Sequence, residues 1–440
     1  NTFMTKKEFA KRRQQLMEIM GPNSIAILPN AEVSSRNRDV DYPYRSDSNF
    51  HYLSGFDEPE SVIVIVPGRP HGEYLLFCRE RKLEKEIWDG YRAGQEGAIT
   101  NFNADDSYPI SDLDDILPGL LEDREKVFYT MGNIASFDQR VVGFLNHLRQ
   151  ATRQGKHSPT EIIELDHCLN ELRLFKSSAE IKAMRKAGEI SAKAHIRAMR
   201  FTQPGHWEYQ VEAEIIHEFM GNNCRSSAYP SIVGGGENGC ILHYIENNHK
   251  LKNNDLLLID AGAEYDFYAG DITRTFPVNG KFTPSQKALY TIVLNAQKAA
   301  IAAVKPGNHW NQPHEAAVRV LTAGLIDIGL LEGELEELIE NHSYREFYMH
   351  RTGHWLGMDV HDVGDYKVGG EWRLLEPGMV LTVEPGIYIR DLEHIPKKWH
   401  FTGIRIEDDV LVTKKGNEVL SALAPKEIDE IETLMAQSQH

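Results

Sequence analysis

The sequence predicts an α/β domain followed by an α+β domain whose two halves are related by a pseudo-twofold duplication. Three observations support this. Between Lys6 and about Arg173, short apolar runs alternate with helical patterns. Beyond residue 174, long amphipathic helices precede longer apolar strands. Finally, residues 254–262 and 378–386 repeat one pattern: a turn, an apolar strand, an acid and, two residues later, a glycine. A duplicated half-domain would place the two acids at matching strand ends, although chance could also produce the match.

The first domain is predicted to span residues 1–174. An opening helix is marked by Phe9, Leu16 and Met20, and buried strands are expected at residues 24–28, 61–66 and 74–77. Residues 100–160 are acidic and weakly patterned, so no element is predicted there.

The second domain is predicted to span residues 175–440. Ser177 and Glu180 have the spacing of a capping box at the start of a long helix. The remaining predictions are helices at 207–221, 284–304 and 313–329, and strands at 255–262, 267–277, 379–390 and 404–413.

Composition excludes several classes of protein. A formal charge of -17 disfavours nucleic acid and anionic membranes as partners, because both bind basic surfaces. No apolar run is long enough to span a membrane, and residues 1–20 lack the apolar core of a signal peptide. The four cysteines form no C-x-x-C pair, which is typical of a reducing compartment. We therefore expect a cytoplasmic protein.

Five side chains in the second half form a candidate metal site. They lie in apolar or Gly-rich settings, where an unpaired charge is costly: Asp260, Asp271, His354, Glu384 and Glu407. A hairpin between the first two would bring both carboxylates to one face, although a solvated hairpin with unrelated acids is the alternative. Four carboxylates and one imidazole suit hard divalent cations better than a closed zinc site.

The flanking residues contribute further candidates. His350, His354 and His361 have a spacing compatible with one side of a helix, although Gly353 and Gly357 favour a loop. Arg405 and Glu407 alternate on one face of a predicted strand, and an exposed salt bridge is their alternative. We expect such exposed pairing for Asp408 and Asp409.

This set of residues suits metal-assisted hydrolysis. Two divalent cations about 3.5–4 Å apart lower the pKa of a shared water, which supplies a bridging hydroxide near neutrality. The sequence lacks G-x-S-x-G and H-E-x-x-H, which disfavours serine hydrolases and zincins.

The motifs IDAG, DITRTF, GHWLGMDVHD, VEPG and GIRIEDD resemble those of the pita-bread (creatinase/aminopeptidase) metallopeptidases. Residues 41–61 and 86–98 resemble the N-terminal domain of the aminopeptidase P family. The resemblance implies that Asp260 is a terminal ligand of one metal ion, that His354 and Glu384 bind the other, and that Asp271 and Glu407 bridge both. It also implies that Glu384 accepts the proton of the attacking water.

The same resemblance assigns further roles and partners. The candidates around the substrate are His243, near the scissile carbonyl; His361, for proton transfer; and His350 and Arg405, lining the site. The implied metal is Mn²⁺, and the implied assembly is a homodimer or homotetramer in which the N-terminal domain serves substrate access and oligomerisation. The loop around Trp88 would reach a neighbouring subunit, an ordinary surface loop being the alternative.

The implied reaction is hydrolysis of the N-terminal Xaa-Pro bond of peptides with proline at the second position. That bond has no N–H, so the site needs an apolar wall for the pyrrolidine ring. Tyr229, Trp88 and Tyr388 are candidates for this wall, with core packing as the alternative. The rival functions are an Xaa-Pro dipeptidase (prolidase), a creatinase-like enzyme that needs no metal, and a non-catalytic binding module of the same fold.

Overall fold

The structure, a computed structural model, describes residues 3–438; Asn1, Thr2, Gln439 and His440 lie outside the described residues. The chain divides into two compact units. The first is Met4–Leu172, and the second begins at Arg173 and also includes Phe3. The predicted boundary after residue 174 coincides with the end of the helix Leu165–Leu174.

The first unit contains a six-stranded mixed sheet with helices. The strand order is β6-β5-β4-β1-β7-β8, and β4 runs antiparallel to both of its neighbours. Its elements are α1 Lys6–Met20, β1 Ser24–Pro29, β2 Ser35–Asn37, β3 Val40–Asp41, α2 Ser48–Ser54, β4 Val62–Ile65, β5 Tyr74–Cys78, α3 Leu83–Asp89, α4 Gly94–Phe102, β6 Asp106–Pro109, α5 Leu113–Leu121, β7 Lys126–Phe128, α6 Ala135–Gln150, β8 Glu161–Ile163 and α7 Leu165–Leu174.

The three predicted strands of this unit are confirmed as β1, β4 and β5, and they supply buried aliphatic residues to its core. The segment without a prediction also folds: α6 buries Phe137, Val141, Phe144 and Leu148, which recur at helical spacing. The neighbouring α5 contains Pro118, a residue that normally argues against a helix because it has no N–H to donate.

The second unit combines long helices with several small antiparallel sheets. Their strand orders are β10-β11-β14, β13-β12-β9, β17-β20-β21 and β18-β19. Its elements are α8 Ser178–Phe201, α9 Glu208–Gly221, β9 Ser226–Ser227, β10 Ile232–Gly235, β11 Leu256–Ala261, β12 Ala263–Tyr265, β13 Tyr268–Ala269, β14 Ile272–Pro277, α10 Pro284–Ala302, α11 Gln312–Asp327, α12 Leu335–Glu340, β15 Lys367–Val368, β16 Glu371–Trp372, β17 Val380–Val383, β18 Gly386–Ile389, β19 Thr402–Arg405, β20 Asp408–Thr413, β21 Gly416–Val419 and α13 Ile428–Gln437.

The predicted helices of this unit are confirmed as α8, α9, α10 and α11. The Ser177 hydroxyl accepts a hydrogen bond from the Glu180 amide, and the Glu180 carboxylate accepts one from the Ser177 amide, which is the predicted capping box. The two halves meet where Thr273 and Glu407 exchange backbone hydrogen bonds of 3.0 and 3.4 Å. Among the described residues, no helix is both long and apolar enough to cross a membrane.

Candidate metal centre

Three predicted strands are each split in two, and an acidic candidate ligand lies at every break. Asp271 lies between β13 and β14, Glu384 between β17 and β18, and Glu407 between β19 and β20. The expectation of continuous strands at 267–277, 379–390 and 404–413 is therefore wrong. Within a strand, side chains point alternately to the two faces of the sheet. An acid at a break does not follow this alternation, so its side chain can approach acids from other strands.

The fourth acid lies on a continuous strand. Asp260 is the second-last residue of β11 and pairs with Thr273 of β14, so the predicted adjacency of the Asp260 and Asp271 strands is confirmed. The segment between them forms β12 and β13. There Gly262 passes so close to Gly270 that a Cβ on Gly262 would lie 1.7 Å from the Gly270 carbonyl oxygen. Only glycine fits this crossing.

Four of the five predicted ligands converge. One ligand atom from each of Asp271, His354, Glu384 and Glu407 lies within 4.8 Å of all the others. His354 Nε2 is 3.1 Å from Asp271 Oδ2 and 3.6 Å from Glu384 Oε2. These side chains are buried or half-buried, so the group is a preformed cluster of oxygen and imidazole ligands.

Asp260 adjoins this cluster through shared hydrogen bonds. The Tyr229 hydroxyl lies 2.6 Å from Asp260 Oδ1 and 2.9 Å from Asp271 Oδ1, so one phenol joins the two carboxylates. The other Asp260 oxygen accepts a hydrogen bond of 3.0 Å from Arg405 Nη2. The Arg405 guanidinium thus offsets part of the negative charge on this side of the site.

His354 lies on a loop that runs beside β17. The Thr382 amide donates to the His354 carbonyl, and the His354 amide donates to the Thr382 hydroxyl. The His354 ring donates from Nδ1 to the Trp355 carbonyl at 2.7 Å. In a neutral ring this bond places the lone pair on Nε2, the atom that faces Asp271 and Glu384 and that could bind a cation. The loop conformation agrees with the prediction made from Gly353 and Gly357.

Electrostatics indicate that the cluster lacks positive charge. Burial and the nearby Asp271 and Glu384 raise the pKa of Glu407 well above its usual range. Burial, and then Asp271, also raise the pKa of Asp260 despite Arg405. Burial opposes the protonation of His354, but its hydrogen bond to Asp271 and the charge of Glu384 raise its pKa to about 10.

One buried oxygen shows that the site is suited to a cation. Glu407 is fully buried, and its Oε1 accepts a hydrogen bond of 2.8 Å from the Thr273 hydroxyl. Its Oε2 accepts no hydrogen bond from the residues that the structure describes. Buried carboxylate oxygens are normally paired or bound to metal. The donor set of three carboxylates and one imidazole, with Asp260 beside it, fits divalent cations that prefer oxygen ligands.

A cavity of about 360 Å³ opens onto these groups. His243, His350, His361 and Tyr229 line it, together with Asp260, Asp271, His354, Glu384 and Arg405. The remaining lining is largely apolar and comprises Pro230, Ile232, Leu242, Ile245 and Val360. The His361 ring packs edge-on against His354, with 4.6 Å between the ring centroids.

Two predicted substrate residues lie elsewhere. Tyr388 is 3% exposed and is not among the residues that line the cavity; its hydroxyl lies 2.7 Å from His350 Nε2 and accepts a hydrogen bond of 3.0 Å from Arg405. The structure thus gives Tyr388 the position of a support for two cavity residues. Trp88 lies on α3 of the first unit, and its side chain is 84% exposed.

The expectation of exposed ion pairs at Asp408 and Asp409 is wrong, because both residues are at most 1% exposed. Asp408 binds Arg274 at 2.6 Å and Lys426 at 2.8 Å, while Asp409 accepts the Asp271 amide at 3.0 Å. Sequence reasoning also missed Thr273. No local pattern identifies it, because its partner Glu407 lies 134 residues further along the chain.

Comparisons with known proteins agree with this arrangement. The profile of metallopeptidase family M24 matches residues 182–414, and the profile of the aminopeptidase P N-terminal domain matches residues 9–129. The chain is 45% identical to the Xaa-Pro aminopeptidase of Escherichia coli, over 98% of both chains, and 34% identical to human Xaa-Pro aminopeptidase 3, over 99% of this chain and 87% of the relative.

Solved structures give the same result. An aminopeptidase from Pseudomonas aeruginosa superposes with a TM-score of 0.98 at 57% identity, covering 99% of each chain. A zinc-substituted aminopeptidase P from Escherichia coli, in complex with product, superposes with a TM-score of 0.97 at 44% identity over 99% of each chain. The first unit thus has the fold of the aminopeptidase P N-terminal domain and the second the pita-bread fold with its duplicated halves. The chain belongs to metallopeptidase family M24.

Proposed function

We propose that the protein is a dinuclear-metal aminopeptidase that hydrolyses the N-terminal Xaa-Pro bond of peptides. The observation that carries this proposal is the convergence of Asp271, His354, Glu384 and Glu407, the first three of which line a partly apolar cavity. The names of its relatives, from bacterial to human Xaa-Pro aminopeptidases, support the same reaction.

In this proposal five side chains hold two cations. Asp260 would hold one cation, His354 and Glu384 would hold the other, and Asp271 and Glu407 would contribute to both. The orphan oxygen of Glu407 and the shared Tyr229 hydroxyl on Asp260 and Asp271 support this assignment. We take the metal to be Mn²⁺, although the ligand set also suits cobalt, iron or zinc.

The chain's own residues orient the substrate and move protons. When bound, divalent cations at such a site lower the pKa of water and polarise a carbonyl group. Glu384, whose side chain is 19% exposed in the cavity, accepts the proton of the attacking water. His361 passes a proton to the departing proline nitrogen, and His243 binds beside the scissile carbonyl. Arg405 and Tyr388 hold His350 and Asp260 in place.

The cavity walls suit proline. A prolyl nitrogen carries no hydrogen in the bond to be cleaved, so the site needs no acceptor for it. Pro230, Ile232, Leu242 and Val360 supply an apolar surface for the pyrrolidine ring, and the Tyr229 ring adjoins it. We propose that Trp88 contributes from a neighbouring subunit of a homodimer or homotetramer. The N-terminal domain, residues 1–174, would serve this assembly and control substrate access in the cytoplasm.

Cleavage assays after metal removal test the proposal. The purified protein is treated with a chelator, dialysed, and assayed with and without added Mn²⁺ on a tripeptide with proline at the second position. We expect activity to vanish on chelation and to return with Mn²⁺. Activity that survives thorough chelation would favour the creatinase-like alternative, and a protein that never cleaves would favour a binding module.

A second comparison separates the aminopeptidase from a prolidase. The Xaa-Pro dipeptide and longer peptides with the same first two residues are assayed side by side. An aminopeptidase cleaves the longer peptides at least as well, whereas a strict dipeptidase cleaves only the dipeptide. A matched peptide with alanine at the second position serves as the negative control.

A further inference from the structure

One wall of the cavity is a single irregular segment, residues 235–249. Leu242, His243 and Ile245 from this segment line the cavity, and His243 and Ile245 are exposed within it. After the short 3-10 helix Gly236–Cys240, regular secondary structure does not resume until β11. Its position must therefore be set by contacts with side chains outside the segment.

Glu208, the first residue of α9, supplies most of these contacts. Its carboxylate is fully buried and accepts four hydrogen bonds from the segment. Oε2 accepts from the Gly235 amide at 2.7 Å and from Asn238 Nδ2 at 3.0 Å. Oε1 accepts from the Tyr244 hydroxyl at 2.5 Å and from the His249 amide at 2.9 Å. One carboxylate thus joins the start, the middle and the end of the wall.

The charge of Glu208 strengthens this attachment. A buried carboxylate is stable only when it is fully hydrogen-bonded, and bonds to an ionised acceptor are roughly twice as strong as neutral ones. The His249 ring, which can carry a positive charge, has its Nδ1 3.9 Å from Glu208, but its side chain is 66% exposed. The carboxylate therefore depends on neutral donors of the wall segment.

The backbone at the start of the segment leaves little room for an alternative path. A Cβ on Gly234 would lie 2.9 Å from the Asn238 backbone, and one on Gly235 would lie 2.8 Å from Leu251. Gly236 has a φ of +56°, which favours glycine. At the other end, Asn247 donates to Glu212 at 2.7 Å and to the Ser231 carbonyl at 2.9 Å. Contacts therefore fix the position of the wall segment at both ends, and Glu208 binds residues along its length.

We propose that Glu208 is a positioning residue for the proposed peptidase: it fixes the cavity wall that carries His243 and so sets the place of the scissile bond. This inference rests on the proposed function. Glu208 is not a cavity-lining residue and belongs to no metal cluster found among residues 3–438. It acts through the Tyr244 hydroxyl and through the backbone on both sides of His243.

The test uses Glu208→Gln, which preserves shape but removes acceptor capacity. The amide nitrogen must face either the Gly235 and Asn238 donors or the Tyr244 and His249 donors, so the backbone amide of Gly235 or of His249 loses its acceptor. We expect kcat/KM on an Xaa-Pro tripeptide to fall roughly tenfold to a hundredfold, as misplacement of a reacting group does. The Mn²⁺ content should equal that of the wild type.

A readout independent of turnover is hydrogen exchange in the metal-free protein. The Gly235 and His249 amides donate to Glu208, so peptides covering residues 234–250 should exchange faster in Glu208→Gln. The matched control is Glu180→Gln. Glu180 is another buried acid in the first turn of a helix, α8, and it accepts a hydrogen bond from the Tyr268 hydroxyl. This variant should show wild-type kinetics and wild-type exchange over residues 234–250.

Tyr244→Phe is the second variant, and it keeps the test decisive if Glu208→Gln does not fold. It removes one donor and should lower kcat/KM by about threefold to tenfold. In the double variant the two effects should be less than additive, because both break the same attachment. Wild-type kinetics in a folded Glu208→Gln or in Tyr244→Phe would overturn the inference. If wild-type protein with Mn²⁺ does not cleave the Xaa-Pro tripeptide, the proposed function is wrong. In that case, unchanged hydrogen exchange in Glu208→Gln would separately show that Glu208 does not hold the wall segment in place.

Discussion

At the scale of single residues, the adjacent acids Glu407 and Asp408 have opposite electrostatic environments. Burial opposes ionisation of Asp408, but Arg274 and Lys426 overcome it and hold its pKa well below the usual range. Burial and surrounding carboxylates raise the pKa of Glu407 well above that range. Removing one partner of a buried ion pair is strongly destabilising, whereas buried acids with strongly raised pKa values are typical of functional sites. The sequence GIRIEDD shows the acids, but it does not show which of them is paired with a positively charged side chain.

The first prediction concerns Glu407→Gln in metal-free protein. The pKa of Glu407 is raised in the folded state, so ionisation opposes folding above its unfolded value near 4.3. The neutral variant should melt higher than wild type at pH 7, by roughly 2–4 °C for each kcal/mol gained. The difference should shrink as the pH falls through the raised pKa. With saturating Mn²⁺ the order should reverse, because the variant loses a ligand. Thermal denaturation measures both.

The matched control for this prediction is Asp408→Asn, in which a paired acid is removed. It should lower stability with and without Mn²⁺, by about 3–5 kcal/mol, because Arg274 becomes a buried charge without its partner. A metal-free Glu407→Gln variant that melts below the metal-free wild type would contradict the assignment of Glu407 as a ligand.

The second prediction separates the ring of Tyr229 from its hydroxyl. The sequence suggested an aromatic wall, whereas the structure places the hydroxyl on Asp260 and Asp271. Tyr229→Phe keeps the ring but removes hydrogen bonds to charged groups, so kcat should fall about tenfold while KM stays unchanged. Tyr290→Phe, whose buried hydroxyl donates to the Lys426 carbonyl, is the control and should retain wild-type kinetics. Wild-type kcat in Tyr229→Phe would count against the role given to the hydroxyl.

At the scale of elements, the sequence located β1, β4, β5 and α8 to α11, but it predicted no element over residues 100–160 and did not show where strands break. Apolar runs flank positions 271, 384 and 407 on both sides, so a continuous strand was predicted through each of them. Their interruption depends on tertiary contacts, such as the Thr273–Glu407 bridge between the two halves. The capping residues Ser177 and Glu180 predicted the start of α8. Glu208 gave no such local signal, because its hydrogen-bond partners lie 27–41 residues away.

The third prediction tests how closely the His354 loop must approach β17. A Cβ on Gly353 would lie 1.9 Å from the Thr382 carbonyl oxygen, so alanine must push the loop away from the strand. Gly353→Ala should displace His354, weaken Mn²⁺ binding, and lower kcat/KM by at least about a hundredfold. Metal titration and kinetics measure this. Gly143→Ala is the control, because that helical glycine has open space and alanine favours helix.

The fourth prediction concerns the loop that carries His361. The neighbouring Asp362 is buried and binds Arg173 at 2.6 Å and Lys176 at 3.3 Å. Burial alone would raise its pKa, but these two cations lower it. Asp362→Asn should therefore destabilise the protein by about 3–5 kcal/mol at pH 7.

The pH dependence of this variant provides its own check. A depressed carboxyl pKa contributes stability above the unfolded value near 3.9, and that contribution is lost as the pH falls towards the folded value. The gap in unfolding free energy between wild type and Asp362→Asn should thus be constant above about pH 5 and should narrow below pH 4. Urea denaturation across this range measures it. A gap that widens in acid would contradict the ion pairs.

At the scale of the whole molecule, family membership and both folds followed from motifs spread over most of the chain, whereas assembly did not. Oligomerisation depends on surface shape and on apolar area, which local patterns do not reveal. The structure does show one apolar surface without cover in the single chain. On α3 and just after it, Leu83, Ile87, Trp88 and Tyr91 are 71–94% exposed, and α3 buries no residue.

The fifth prediction follows from that surface. Large exposed apolar groups that cluster on one short segment are typical of interaction sites, so we expect a second chain to cover them in the proposed homodimer or homotetramer. Light scattering should give the wild type a mass of two or four chains, and Ile87→Glu should lower it by placing a charge in the contact. Val368→Glu, at a position that is 56% exposed on β15, is the control and should keep the wild-type mass.

If Trp88 contributes to a neighbour's cavity, Ile87→Glu should also lower kcat/KM in proportion to the dissociated fraction, and raising the protein concentration should restore kcat/KM. A wild type that remains a single chain at high concentration would remove both the assembly and the role proposed for Trp88.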